Sequence, residues 1–259
     1  MRDLNAIATI AYRDLLKFLR DPTRIVFSLI FPLIFVGILG GALQSNLGRG
    51  AGYNLLAFTF TGVFAQTLFQ STAQGVISLI EDRENDFSQE IFISPISRYS
   101  IIFGKIVGET LVALPQGAAV LVFGFLIGIH IGPAQLLALV PVAVAASLLG
   151  GAFGVAVMSN LRSQRAANQI FPFLLLPQFF TAGVFSPIKV LPLYLDVVSR
   201  ISPLRYAVDF GRDVFYSGTA DYQKVVLAPA PFNLLVMAGM FAVFLGAGTF
   251  MFVRGERNR

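Results

Sequence analysis

The sequence predicts an all-α integral membrane protein with six transmembrane helices. Three observations lead there. First, 56% of the 259 residues are hydrophobic and 13% are charged, with a mean hydropathy of +0.74. A soluble domain carries about 25% charged residues, and so few charges do not cover a water-facing surface. Second, Thr110 to Leu161 is 52 residues without one formal charge. At about 1.5 Å per residue that run is far too long for one crossing of about 30 Å of hydrocarbon, so it must turn. Third, Glu81 to Arg98, EDRENDFSQEIFISPISR, is an 18-residue island with five acidic and two basic residues between long apolar runs. Such an island reads as a loop exposed on one side of a bilayer.

Residues 1–24 open the chain with five basic side chains. Leu4, Ala8, Ala11, Leu15 and Phe18 recur at three- and four-residue spacing, which predicts an amphipathic helix. Its basic content suits anionic headgroups, so it is placed in the membrane interface, with a soluble cap helix as the other reading. Asp21-Pro22 breaks the helix, because proline disfavours helical backbone in the residue before it. A positive segment ahead of an apolar run resembles a signal peptide. No small-residue cleavage site follows, and residues 25–47 read as retained.

Span 1 is expected at about residues 25–45 and span 2 at about 54–80, with Arg49 in the glycine-rich turn SNLGRGAG between them. After the charged island, span 3 runs from about 101 to 129. His130-Ile131-Gly132-Pro133 is the natural turn, and span 4 follows at about 135–158. Residues 159–168 are a short basic loop. Span 5, at about 169–186, carries Pro177 and Gly183, which predict a kinked or partly broken helix. Residues 187–224 mix Pro187, Pro192 and Pro203 with charged and large apolar side chains. Two short amphipathic helices, at about 189–200 and 204–216, fit that mixture and are placed in the interface or dipping into the bilayer. Span 6 is about 231–253, and the whole of 1–259 reads as one transmembrane domain.

Six spans put both termini on one side. That side collects thirteen Lys and Arg against six on the other, and the positive-inside rule makes it the cytoplasm. The formal net charge of +5 is therefore explained by orientation in the bilayer, and no nucleic-acid partner is expected.

Several chemistries lack their residues. With no Cys and one His, thiol, iron–sulfur and zinc centres have nothing to be built from. There is no G-x-x-x-x-G-K-[ST] loop: Gly104-Lys105 is followed by Ile106, and Tyr99 stands where the first Gly belongs. The chain itself is not expected to be an enzyme or to hold a cofactor. If ATP drives it, the ATPase is another chain.

Polar side chains within spans remain. Gln66, Gln70 and Gln74 lie at i, i+4 and i+8 on one face of span 2, near Thr67. They form either a hydrogen-bonding line along a substrate path or glue between helices. Lys105 and Glu109 are four residues apart and neutralise one another in span 3, with a proton relay at Glu109 as the alternative. Gly37/Gly41, Gly104/Gly108 and Gly150/Gly154 are pairs that permit close helix crossings. Within the charged island, the acidic half is followed by Ile91, Phe92, Ile93, Pro95 and Ile96. These apolar residues need a surface to pack on, either the membrane or a soluble partner.

Taken in order, these features resemble the permease subunits of the ABC-2 type transporter family. The resemblance rests on the amphipathic N-terminal segment, the six spans, and Glu81-Asp82-Arg83-Glu84 through Ser94-Pro95-Ile96-Ser97 leading into Phe103-Gly104-Lys105. It also rests on Ala182-Gly183-Val184-Phe185-Ser186-Pro187 before Leu191-Pro192, and on Ile201-Ser202-Pro203-Leu204-Arg205-Tyr206 leading to Asp209 and Arg212. The resemblance implies that residues 81–98 form a cytoplasmic coupling helix seated on an ATP-binding cassette ATPase, with Glu81, Glu84, Ile91, Phe92, Pro95 and Ile96 as contact residues. It implies two ATPase copies that bind ATP and Mg, and a second permease chain in a homodimer. It further implies re-entrant outer helices within 187–224, and export of a drug, lipid, glycolipid or polysaccharide across a bacterial or archaeal plasma membrane. The residues themselves leave a secondary transporter driven by an ion gradient as the alternative, with Glu109 as its deep acidic group.

Overall fold

The computed structural model describes residues 2–84, 97–161 and 163–257. No strand occurs among the described residues. Helix α1 spans Arg2–Leu19. Asp21 then caps the next helix, its carboxylate accepting the Arg24 N–H at 2.9 Å, and Pro22 stands in the first turn, where its missing N–H costs nothing. Helix α2 (Pro22–Ile34), a π-helical segment (Phe35–Gly40) and α3 (Gly41–Ala51) continue without interruption. Span 1 is therefore longer than expected. The helix runs through Gly48 and Gly50 and ends at Gly52, which adopts the left-handed conformation with φ 73°.

Helix α4 (Leu55–Gly75) begins at Asn54, whose side chain accepts from the Ala57 N–H at 2.9 Å. Gln44 of α3 accepts from the Leu55 N–H at 2.7 Å, so neighbouring side chains satisfy the first orphan donors of α4. The expected span to residue 80 breaks instead after Gly75. A short helix, α5 (Ser78–Glu84), restarts there, and the Ser78 hydroxyl donates to the Gly75 carbonyl at 2.6 Å.

Helix α6 (Arg98–Leu126) and α7 (Pro133–Met158) meet at the turn expected around His130. Gly128 takes φ 88° there, and Pro133 opens α7. Helix α8 (Gln164–Thr181) runs through both Pro172 and Pro177 and stops before Gly183, at φ 76°. Two short helices follow, α9 (Leu193–Ile201) and α10 (Pro203–Tyr216). A single turn, α11 (Tyr222–Val225), precedes the closing α12 (Ala230–Arg257).

Four stretches are long and apolar enough to cross a membrane: Pro22–Ala51, Arg98–Leu126, Pro133–Met158 and Tyr222–Arg254. Helices also stand where spans 2 and 5 were expected. Both carry polar side chains, the glutamines of α4 and the Gln164, Arg165, Asn168 and Gln169 start of α8, which lower their hydropathy.

α4 is the centre of the fold. It packs between α6 and α7, and α10 covers its N-terminal part. Seventeen of its residues are buried, including Phe58, Phe60, Leu68 and Phe69. Close approach of α7 depends on glycine, because a Cβ on Gly150 or Gly154 would run into the α4 carbonyls of Phe69 and Ala73. The second close crossing seats α1 along α6. A Cβ on Gly104 would lie 3.1 Å from the Ile7 Cα, and one on Gly108 would lie 3.0 Å from the Ala11 Cα. The N-terminal helix therefore lies in a Gly104/Gly108 groove, burying Ala11, Asp14 and Phe18, while Leu4 stays exposed. Its buried stripe is rotated towards Asp14 relative to the stripe expected from apolar spacing alone.

Candidate functional site: a polar cavity beside a buried charge cluster

The N-terminal two-thirds of α4 is enclosed by its neighbours, and polar side chains gather where α2 passes its other end. There Gln66, Gln70 and Gln74 all line one cavity of about 390 Å³. Eight residues of helix separate the first from the last, so the line extends about 12 Å. Arg24, Phe27 and Phe31 of α2 form the opposite wall, and Gln116 of α6 closes one side. The Gln66 amide donates to the Gln70 carbonyl oxygen at 3.4 Å, and Gln116 donates to the Ser71 hydroxyl at 2.9 Å. Gln66 is buried, and its own carbonyl oxygen has no hydrogen-bond partner. A buried acceptor left in that state is costly, and a donor from a bound molecule would relieve it. Gln70 and Gln74 are half-buried. The cavity thus presents amides and hydroxyls on one wall and aromatic rings on the other, the pattern of a site for a molecule with polar and apolar parts.

At the Gly75 end, the cavity abuts a charge cluster drawn from three helices. Lys105 lies 2.7 Å from Asp14 of α1 and 2.9 Å from Glu109 one turn on. All three side chains are 2–3% exposed. Arg13 pairs with the other Asp14 oxygen at 3.1 Å, and Arg24 reaches Glu109 at 3.6 Å. Gly75 lies against the Glu109 carboxylate so closely that a Cβ there would overlap it. The expected Lys105–Glu109 pair is present, but it is the middle of a larger cluster. Asp14 was hidden because its partner is 91 residues away, although its i, i+3, i+7 relation to Ala11 and Phe18 was visible. Nothing local marked Arg24 or Gln116.

Of the expected coupling residues, Ile91, Phe92, Pro95 and Ile96 lie outside the described residues. Glu81 is exposed on α5, and Glu84 is that helix's last residue. Gln66, Gln70 and Gln74 on α4 are separated from Glu81 and Glu84 on α5 by the helix break after Gly75.

The opposite end of the fold is held by a second polar set. The Asp209 carboxylate accepts from the Leu227 and Ala228 N–H groups at 2.8 and 2.9 Å and from Asn233 at 2.9 Å, so it orders the start of α12. Arg212 is buried, donates to the Gly183 carbonyl at 2.6 Å, and lies 3.6 Å from the centre of the Phe58 ring. It thereby pins α10 to α4 and to the turn after α8. On exposed α9, Asp196 accepts from Arg205 at 3.0 Å and from Arg200 at 3.0 Å. Those bonds hold its carboxyl below the usual carboxylate range.

Related proteins are named as transport permeases. The chain is 24% identical to DrrB1 of Streptomyces coeruleorubidus, named as a daunorubicin resistance ABC transporter permease protein, over 93% of this chain and 83% of that one. It is 24% identical to ycf38 of Cyanophora paradoxa, named as a transport permease, over 73% of this chain and 67% of that one. YbhR of Escherichia coli strain K12, named as a multidrug ABC transporter permease, is 29% identical over 54% of this chain and 38% of its own. The profile of the ABC-2 type transporter family matches residues 5–216. The long apolar helices, the centrally packed α4 and that match together place this multi-pass membrane protein in the ABC-2 type transporter family, as a transport permease subunit of an ABC transporter.

Proposed function

We propose that the chain is the permease of a split exporter, moving a hydrophobic or amphipathic molecule out of the cytoplasm along the polar face of α4. The observation that carries this reading is the gathering of Gln66, Gln70 and Gln74 on one cavity facing α2. That shared cavity is what favours a path over glue between helices. One relative is named as a multidrug permease and another as a daunorubicin resistance permease, which agrees with an amphipathic cargo.

In this reading residues 1–259 form one transmembrane domain with six spans, α4 and α8 serving as spans 2 and 5. Both termini face the cytoplasm of a bacterial or archaeal cell, with α1 as the interfacial helix and α9–α10 as the re-entrant outer pair. α4 tolerates its polar side chains because protein surrounds most of it, and only lipid-facing polar groups carry the full cost of burial in hydrocarbon. Two copies of the permease associate with two ATPase subunits, which bind ATP and Mg. Residues 81–98 couple the two proteins, with Glu81 and Glu84 at the rim and Ile91, Phe92, Pro95 and Ile96 as the apolar anchors. ATP-driven closure of the ATPases then rocks the permeases against each other.

A gradient-driven mechanism fits less well. Glu109, its candidate acidic group, is already engaged by Lys105 at 2.9 Å and faces Arg24 at 3.6 Å. The deciding experiment is transport by the permease reconstituted with and without its ATPase. Transport is expected only with the ATPase and ATP. Transport by the permease alone under an imposed proton gradient overturns the proposal.

A further inference from the structure

Among the described residues that line the glutamine cavity, Arg24 carries the only formal charge. Its guanidinium is 44% exposed and meets Glu109 at 3.6 Å, beyond hydrogen-bonding distance. Glu109 is bound more tightly by Lys105 at 2.9 Å. Arg24 therefore faces the cavity with donors that its neighbours do not saturate, and Arg is suited to planar, two-pronged capture of a phosphate or carboxylate. Farther in, the buried Gln66 carbonyl oxygen lacks a donor. Beside this polar wall, Phe27 is 68% exposed and Phe31 40% exposed, and Ile30 and Ile34 continue the apolar surface along α2.

We infer that the cavity takes the anionic headgroup of a membrane amphiphile. Arg24 holds the acidic group, the α4 glutamines meet hydroxyl or amine donors of the same headgroup, and the tail lies along the Phe27 and Phe31 face of α2. The inference rests on the path reading above and narrows its substrate class. A cationic amphiphile would meet Arg24 directly, and neither the Glu109 nor the Asp14 carboxylate lines the cavity to receive it. A free anion would satisfy Arg24 but leave the aromatic wall without a role.

The chain contains no Trp, so Phe27→Trp in the full-length permease provides a lone fluorescent reporter at the cavity. In phosphatidylcholine nanodiscs this reporter is titrated with dodecyl phosphate, dodecylphosphocholine and inorganic phosphate. Dodecyl phosphate is expected to bind about tenfold more tightly than dodecylphosphocholine, the scale of one charge-assisted contact. Arg24→Gln in the same background should remove that preference and Arg24→Lys should keep most of it. Equal affinity for the two amphiphiles, or a preference that survives in Arg24→Gln, overturns the assignment of Arg24. An equal response to inorganic phosphate overturns the amphiphile. No response to any probe overturns the inference as a whole. Should Arg24→Gln fail to fold, the comparison of probes on the parent reporter and on Arg24→Lys decides it. The path reading is judged separately, by ATP-driven transport in Gln70→Leu, so either can fail alone.

Discussion

The Lys105 ammonium lies 2.7 Å from the Asp14 carboxylate, with both side chains buried, so a charge pair ties the first helix of the chain to α6. Lys105 serves Glu109 at the same time. One cation thus neutralises two carboxylates from different helices, beside the cavity and at the break between α4 and α5. Buried ions of this kind contribute little net stability when complete but are costly to break.

Lys105→Met should therefore destabilise the permease by about 3–5 kcal/mol, since it leaves buried Asp14 with Arg13 alone and buried Glu109 with only the more distant Arg24. Asp14→Asn leaves Lys105 and Glu109 paired and should cost about 1–3 kcal/mol, the scale of an imperfectly satisfied buried polar group. Unfolding of the purified protein, monitored through the midpoint of its thermal transition, measures both. A larger loss in Asp14→Asn than in Lys105→Met would show that Lys105 is not the hub.

Gln70 is the cleanest test of the substrate path. It is half-buried at the cavity, whereas Gln66 is fully enclosed and its loss would also disturb packing. Interhelical polar contacts in membranes are worth about 0.6–2 kcal/mol, so Gln70→Leu should leave expression close to that of the parent. Transport should fall well below it. Unchanged transport kinetics in a well-expressed variant would take Gln70 off the path.

Phe92 is expected to anchor the ATPase. Interface hot spots commonly cost about 2 kcal/mol when truncated, which raises the dissociation constant about thirtyfold. Phe92→Ala should weaken copurification of the ATPase to that degree, and Phe92→Asp should weaken it further by placing an unpaired carboxylate in the contact. Asp86→Asn should be mild, because exposed charges add little to net affinity. Normal assembly of Phe92→Asp together with failure of Asp86→Asn would mean the loop works by charge.

Orientation can be read with single cysteines, since the chain has none of its own. Cysteines at Gly50 and Ser217 should react with an impermeant thiol reagent in intact cells. Cysteines at Asn85, Ser163 and Asn258 should be protected until the membrane is opened. Labelling of Asn85 or Asn258 from outside, with Gly50 protected, would invert the topology.

Much of this architecture was legible in the chain because a bilayer imposes a length and a polarity on every helix that crosses it. Asp21-Pro22, the glycine and proline around His130, and Pro203 marked helix boundaries through backbone chemistry that acts over a few residues, and the helices begin and end near them. The one-sided spacing of Gln66, Gln70 and Gln74 was equally local, and the three side chains line one cavity. The partners of that face were decided only in three dimensions. Arg24 and Gln116 approach it from helices 42 or more residues away in the chain, and Asp14 reaches Lys105 across 91 residues. A charge or an amide interacts with whatever the packing of helices brings within about 3 Å. That packing was set by small residues at close crossings, Gly104 and Gly108 under α1 and Gly75 under Glu109, where the missing side chain lets one helix settle on the next.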